Sequence, residues 1–510
     1  MGLVTAGVIA AGDSRTAEAG AELLRAGGNA VDAICAASCM AFIAEAPLCG
    51  PGGSGALLAG PPDDLRLLDF FAVVPGQGAS APPVLDFHDV DVDFGPTVQQ
   101  FHVGRGAAAV PGTMLGLVEA HRRLGRVPFS TLIQPALRAA REGLEPSAQL
   151  REVVRMLRPI LSLSQPTRAL FYDAEDRPWL SNPRLADFLE AVAHEGEALL
   201  RGPFARDLVA QMGPEHGGLL TATDLQRYAP VWREPLRVRR GAHEYLSNPP
   251  PSSGGSLVGL GLALSAELPL GGMPWLGPRY VGELASLLGA LDHAKQRSRE
   301  LPPGQVMSAE LHDGAARALA EQRARRSLGS TTHISVLDGD GRLASLTMSN
   351  GEGCGHTLPA YGVHVNNFLG EEDINPHGFH RQPPGTWMTT MMAPSAVLEG
   401  GRPSLVLGTG GSNRIRSALL QTLLHVLAAG RSLEEAVLAP RMHVEGERLW
   451  VEREGLPEGS VEALCRAWPG ATVFPAHNMF FGGVHAVGLA GAGLYGMGDP
   501  RRGGTVVRVG

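Results

Sequence analysis

Residues 331–350, TTHISVLDGDGRLASLTMSN, decide how this chain is read. Two alternating runs flank Asp338-Gly339-Asp340-Gly341, strong turn chemistry, and together they predict a β-hairpin. With the turn centred near Asp340, Thr331 pairs with Ser349, His333 with Thr347 and Ser335 with Ser345. Period-2 alternation puts those six side chains on one face, and Ile334, Val336, Ala344, Leu346 and Met348 on the other. The row of hydroxyls has two readings. One is a solvated sheet face; the other is a nucleophilic Thr331 at the strand's start, with Ser349 opposite as its hydrogen-bonding partner.

The 510 residues are 44% hydrophobic and 18% charged, a globular composition long enough to bury a large core. A net charge of -8 over that length gives no basic footprint, so no nucleic-acid partner is expected. Lys295 is the one lysine, which argues against a Walker-type phosphate loop or a Schiff-base site, since each needs a placed lysine. No cofactor is called for. The N-terminal stretch has no cationic segment before its apolar residues, and Asp13 interrupts it early, so no secretory signal is expected. The apolar run at 257–264 is glycine-broken and far short of the ~20 residues of a membrane helix, so no membrane partner is expected. Cys35, Cys39, Cys49, Cys354 and Cys465 show no CxxC spacing and read as buried thiols in a reducing cytoplasm. His377 and His380 are three apart without a zinc-site pattern around them, and no metal is expected.

In chain order, a short strand at 8–11 precedes capped helices over 16–25 and 30–43. The glycine-rich loop PLCGPGGSG at 47–55 either cradles an anion or lets backbones approach closely. Residues 76–105 read as loop and the middle region as mostly helical. Strands follow over 236–246, then a rigid NPPPSSGG loop at 248–255 that opens a helix. A polar linker at 321–330 sits directly before the hairpin, where a chain can be cut without disturbing a core. Beyond it, strands at 391–398 and 404–407 lead to Gly408-Thr409-Gly410-Gly411-Ser412-Asn413 and a helix over 415–429. Strand runs occur on both sides of residue 330, which favours one sheet system built from both parts over two separate domains.

A threonine hydroxyl needs a base at neutral pH. An N-terminal threonine carries one, because its own α-amine, with a typical pKa of ~7.7–8.0, accepts the proton. Thr331 becomes N-terminal only by cleavage at Ser330–Thr331, for which the same hydroxyl can attack the preceding carbonyl in an N-to-O acyl shift. Gly410 and Gly411, between a strand and a helix, offer unhindered N–H groups near a positive dipole end, suited to an oxyanion. Glu371, Glu372 and Asp373 can accept hydrogen bonds from a substrate ammonium.

Several motifs then carry a resemblance. They are Gly27-Gly28-Asn29-Ala30-Val31-Asp32-Ala33, Pro111-Gly112-Thr113, Pro249-Pro250-Pro251-Ser252-Ser253-Gly254-Gly255, Thr331-Thr332-His333, Gly410-Gly411-Ser412 and Asp499-Pro500-Arg501. In that order they resemble the γ-glutamyltransferase (γ-glutamyltranspeptidase) family, over almost the whole chain. The resemblance implies an α/β (α+β) fold, the αββα four-layer sandwich of N-terminal-nucleophile hydrolases. It also implies autoprocessing into a large subunit, 1–330, and a small catalytic one, 331–510, which stay partners in one folded unit. The implied activity cleaves γ-glutamyl amides, glutathione among them, with transfer to water or an amine. Acylase-like or biosynthetic relatives acting on a non-glutamyl substrate, and a non-catalytic ligand-binding relative, are the alternatives.

Carried over by residue, Thr331 matches the nucleophile, Ser349 the hydroxyl that hydrogen-bonds it, and Gly410 and Gly411 the oxyanion hole. Glu371 lies where the family has an aspartate that holds the substrate's α-amine. The departures concern the substrate. Asp69-Phe70-Phe71 stands where Asp-Phe-Arg supplies a carboxylate-clamping arginine, so a bidentate cation has become an apolar ring. Phe368 stands at a usual glutamine, and Thr390-Met391 at a usual Ser-Ser pair. Asn350 follows Ser349 directly rather than one residue later. The stretch from Glu371 to Thr390 is short for members with a lid loop.

Overall fold

The computed structural model describes residues 5–79, 82, 84–93, 98–298, 331–491 and 493–510. Two antiparallel sheets organise it. The first has seven strands, in spatial order Thr505–Val509, Gly7–Ala11, Thr332–Asp338, Leu343–Ser349, Ser54–Gly60, Arg66–Phe70 and Val231–Arg233. The second has six, Gly493–Met497, Gly483–Ala490, Arg402–Gly410, Ser395–Glu399, His243–Ser247 and Leu236–Arg240. Each sheet mixes strands from both sides of residue 330, as the distribution of strand runs foretold.

Alternation along the strands produces the layers. Val8, Ala10, Leu58, Leu67, Leu337 and Leu343 of the first sheet meet Leu246, Ala396, Leu398, Val406 and Val487 of the second in one buried cluster. The opposite face of the first sheet, including Ile9, Leu57, Ile334, Val336 and Leu346, packs under helices Ser14–Arg25 and Ala30–Ala44 and the helical middle region. The outer face of the second sheet, including Val397, Leu405, Leu407 and Val484, packs under Gly254–Leu264, Pro278–Ser298 and Arg414–Leu427. Helix, sheet, sheet, helix is the four-layer αββα sandwich of the N-terminal-nucleophile hydrolases.

The helices begin where the sequence signals them. Asp13 caps Ser14–Arg25, and Asn29 with Asp32 forms a capping box on Ala30–Ala44. Every residue of Ala30–Ala44 is buried; its alanines and cysteines let it lie close against the hairpin strands. The five cysteines are free thiols, four of them buried and Cys465 half-buried. Among the described residues no helix is long and apolar enough to cross a membrane.

The hairpin has the register read from sequence, with His333 opposite Thr347 and Ser335 opposite Ser345. Its hydroxyl face is not solvated. His333, Ser335, Ser345 and Thr347 are 0% exposed, because the second sheet covers them. The loop at 47–55 also resolves in favour of close approach. A Cβ on Gly52 would sit 2.3 Å from His364 O, and one on Gly53 2.2 Å from Ser349 O, so these glycines let the loop press against the end of the hairpin. Residues 76–105 are not all loop: His88–Asp93 pairs with Val98–Val103. The aspartates there occupy alternate positions of a strand, and their turn propensity concealed the period. The linker at 321–330, with Ser330, lies outside the described residues.

Candidate active site

Thr331 stands at the mouth of the hairpin, 6% exposed, at the polar end of the inter-sheet layer. It lines an open cavity together with Gly12, Glu45, Gln149, Gly410 and Arg502. The second sheet comes to it through Gly410, the last residue of Arg402–Gly410. A Cβ on Gly410 would sit 1.9 Å from Thr331 O, so only glycine fits between this strand and the threonine. Gly411 follows with φ +126 and Ser412 with φ +48, a left-handed conformation that a serine adopts only when held. Two contacts hold it. Asp373 accepts the Ser412 hydroxyl, and Lys295 Nζ donates to Asn413 Oδ1 at 2.5 Å. Asn413 Nδ2 in turn donates to Glu445 Oε1 at 2.8 Å. The single lysine of the chain therefore braces the glycine loop from behind, ahead of the N-terminus of Arg414–Leu427.

Ser349 closes its strand one pair beyond Met348 and Thr332, and its Oγ accepts the Gly351 N–H at 2.8 Å. Glu371 reaches the same turn; a Cβ on Gly351 would sit 2.3 Å from Glu371 Oε1. Burial, then the negative charges of Glu352 and Asp373, push the Glu371 carboxyl well above its ordinary value. An arriving cation would reverse that shift.

The remaining sequence-derived residues divide. Phe71 and Phe368 meet, ring centroids 5.1 Å apart, inside a buried cluster with Met388 and Met392. Asp69, before them, pairs with Arg233 at 2.8 Å. Thr390 accepts the Met392 N–H on its hydroxyl at 3.2 Å and, on its carbonyl, the Ser252 hydroxyl and Ser253 N–H, both at 3.0 Å. The NPPPSSGG loop is thus fastened to it. Asn350 is not brought to the Thr331 cavity. Its Nδ2 donates to His364 O at 3.1 Å, and it lines a separate open cavity with Gly50 and Phe171. The early placement of Asn350, directly after Ser349, turns it toward the 47–55 loop.

Three residues at the cavity had no sequence signal of their own. Glu45, at the end of Ala30–Ala44, accepts the Thr332 hydroxyl, and burial pushes its carboxyl up to about 7. Gln149 comes from the helical middle region. Arg502 follows the Asp499-Pro500-Arg501 motif and donates from Nη1 to Thr331 O at 3.3 Å. The assembly offers a hydroxyl, an adjoining glycine turn ahead of a helix N-terminus, and charged walls of both signs. Those are parts for acyl transfer.

A family model described as gamma-glutamyltranspeptidase matches residues 16–509. The glutathione hydrolase proenzyme of Pseudomonas aeruginosa is 29% identical, over 97% of this chain and 93% of that protein. The acylase ACY 1 proenzyme of Pseudomonas sp. (strain SE83) is 30% identical, over 90% and 86% respectively. The crystal structure of cephalosporin acylase from Bacillus halodurans superposes with a TM-score of 0.81 at 22% identity, covering 99% of this chain and 96% of that one; that likeness is one of fold.

Proposed function

Because the chain belongs to the γ-glutamyltranspeptidase family of hydrolases and acylases, we propose that it is an autoprocessed amidohydrolase with Thr331 as nucleophile. The observation that carries this is Thr331 itself, opening a strand in a cavity with Gly410 pressed against its carbonyl. In maturation, the Thr331 hydroxyl attacks the Ser330 carbonyl carbon and the Ser330–Thr331 C–N bond breaks, leaving an ester and a free α-amine. Water hydrolyses the ester. In turnover, the α-amine takes the hydroxyl proton as Oγ adds to a substrate amide carbon. The Gly410 and Gly411 N–H groups receive the oxyanion, and Ser349 orients the hydroxyl. The leaving amine departs with the proton, and water or a second amine accepts the acyl group. The interleaved strands supply the reason that both pieces stay together: Gly7–Ala11 lies between Thr505–Val509 and Thr332–Asp338.

A γ-glutamyl amide such as glutathione is the first substrate class to test, with Glu371 toward its ammonium. The Phe71–Phe368 pair favours a second reading, an acylase taking a donor whose corresponding group is uncharged or apolar. Purified protein should contain two polypeptides, the smaller beginning Thr331-Thr332-His333, while Thr331→Ala stays at 53.5 kDa. A small chain that begins elsewhere removes Thr331 from the role. A chain that never cleaves points instead to a ligand-binding relative.

A further inference from the structure

Most charges near the Thr331 cavity are paired; Glu45 and Arg502 are not. Asp13 holds Arg15 at 2.6 Å, Asp499 takes Arg441 at 2.6 Å and Arg501 at 3.3 Å, and Glu445 faces Lys295 at 3.7 Å. Arg502 has no carboxylate within 4.0 Å among the described residues; Asp499, already paired with Arg441 and Arg501, acts on it only at longer range. Its guanidinium meets two neutral carbonyls at long distances, Thr331 O at 3.3 Å and Met479 O at 3.4 Å, and its buried Nε has no partner. Its stem lies over Gly483, where a Cβ would sit 2.5 Å from Arg502 Cβ, so a glycine makes room for it. Burial draws the guanidinium down to about 10, which leaves it charged at neutral pH.

Arg502 is half-buried, and of its five donors two are used at long distance and the buried Nε not at all, which leaves the fork able to take an anion. The cavity is open to solvent on one side, and Leu150, Val153 and Met479 give it an apolar wall beside the cation. Glu45 lines the same cavity; its Oε2 accepts the Thr332 hydroxyl, its Oε1 has no partner, and burial raises its carboxyl to about 7, which lowers its negative charge there. We propose that the Thr331 cavity is a carboxylate-binding subsite, in which Arg502 pairs with a carboxylate of the substrate. The ligand would be a small amide carrying a carboxylate next to an apolar stem. Calling that ligand a substrate rests on the amidohydrolase reading; the binding does not.

Pentanoate and pentanamide, equal in size and different in charge, are the probes. By isothermal titration at neutral pH the intact protein should bind pentanoate at least about tenfold more tightly. Arg502→Gln should abolish the preference and Arg502→Lys should keep part of it. Should Arg502→Gln fail to fold, Gln149→Trp fills the cavity with Arg502 in place, and should weaken pentanoate about tenfold or more. Equal affinities, binding of neither probe, or a preference that survives Arg502→Gln or Gln149→Trp overturns the subsite. A chain that binds pentanoate this way but never cleaves itself or any amide sinks the hydrolase reading alone.

Discussion

Gly410→Ala is the sharpest test of how the two sheets meet at Thr331. Gly410 has an ordinary strand backbone, so alanine suffers no conformational penalty there; the effect is steric. The new Cβ would lie 1.9 Å from Thr331 O, where carbon side-chain atoms hardly ever come within 3.0 Å, and 3.1 Å from Arg502 Nη1. The threonine carbonyl, or the whole strand end, has to give by about 1 Å. A misplacement of about 1 Å at reacting groups costs on the order of 10²-fold in rate, which corresponds to about 2.7 kcal/mol in the barrier. In the proposed mechanism both maturation and turnover use this geometry, so both should fall by about that factor. The assay is a time course of cleavage by gel and intact mass, followed by kcat on the best amide substrate, with a melting curve to show a folded protein. Gly282→Ala is the control, a helical glycine whose new Cβ meets nothing within 4 Å. Processing and turnover in Gly410→Ala within about threefold of wild type would refute the claim that this strand sets the position of the nucleophile.

Ser349→Ala removes a hydroxyl that accepts the Gly351 N–H at 2.8 Å at the end of the strand paired with Thr332–Asp338, and that the proposed mechanism uses to orient Thr331. A buried hydrogen bond of this kind is worth ~1–3 kcal/mol, so maturation and turnover should slow by about 5- to 150-fold; unchanged rates would leave Ser349 no orienting role. Glu45→Gln addresses pH. Burial lifts this carboxyl from 4.5 to about 7, so the folded protein holds the proton more tightly than the unfolded chain. The stability it contributes is full below about pH 4.5 and is lost as pH rises through about 7, on the order of 3 kcal/mol at ~1.36 kcal/mol per pH unit. The melting temperature of Glu45→Gln minus that of wild type should therefore grow between about pH 5 and pH 8, and a flat difference would defeat the assignment.

The hairpin, the glycine loop before a helix, and the strands on both sides of residue 330 were legible because each is a local pattern: alternation, turn chemistry, capping. The order of motifs then carried the four-layer fold. Residues that reach the cavity from elsewhere were not legible. Glu45 ends an apolar helix and looks like the start of a loop, and Gln149 sits in a helical region with no motif. Arg502 hides behind the more conspicuous Asp499-Pro500-Arg501, whose arginine is spent on Glu452 at 2.5 Å and Asp499 at 3.3 Å. Lys295 was useful in the sequence only for what it excluded, because nothing local links it to Asn413, 118 positions away. The acidic 371–373 turn was read as three possible acceptors. In the fold its members separate, with Glu371 toward Gly351 and Asp373 on Ser412.

The hydroxyl face of the hairpin shows why one register is chosen over its neighbours. Ser335 has one proton and gives it to His485 O at 3.1 Å. His333 Nε2, 2.9 Å from the Ser335 oxygen, must therefore be the donor of that pair, so Nδ1 is the acceptor and takes the Thr347 hydroxyl at 2.8 Å. Burial, with the neighbouring His485, holds His333 well below its ordinary pKa and keeps it neutral, as this single tautomer requires. Ser345 completes the row by donating to Leu407 O at 3.2 Å and accepting the Ser395 N–H at 3.0 Å. A slip of one residue would turn Ile334 and Val336 into this polar layer and strand every one of these groups without a partner. At the far end of the same face Leu337 and Leu343 join the inter-sheet apolar cluster, where shape discriminates between registers less sharply than a directed hydrogen bond does. The polar network thus fixes the pairing that carries the register out to Thr332 opposite Met348, and so the placing of Thr331 and Ser349 one position beyond.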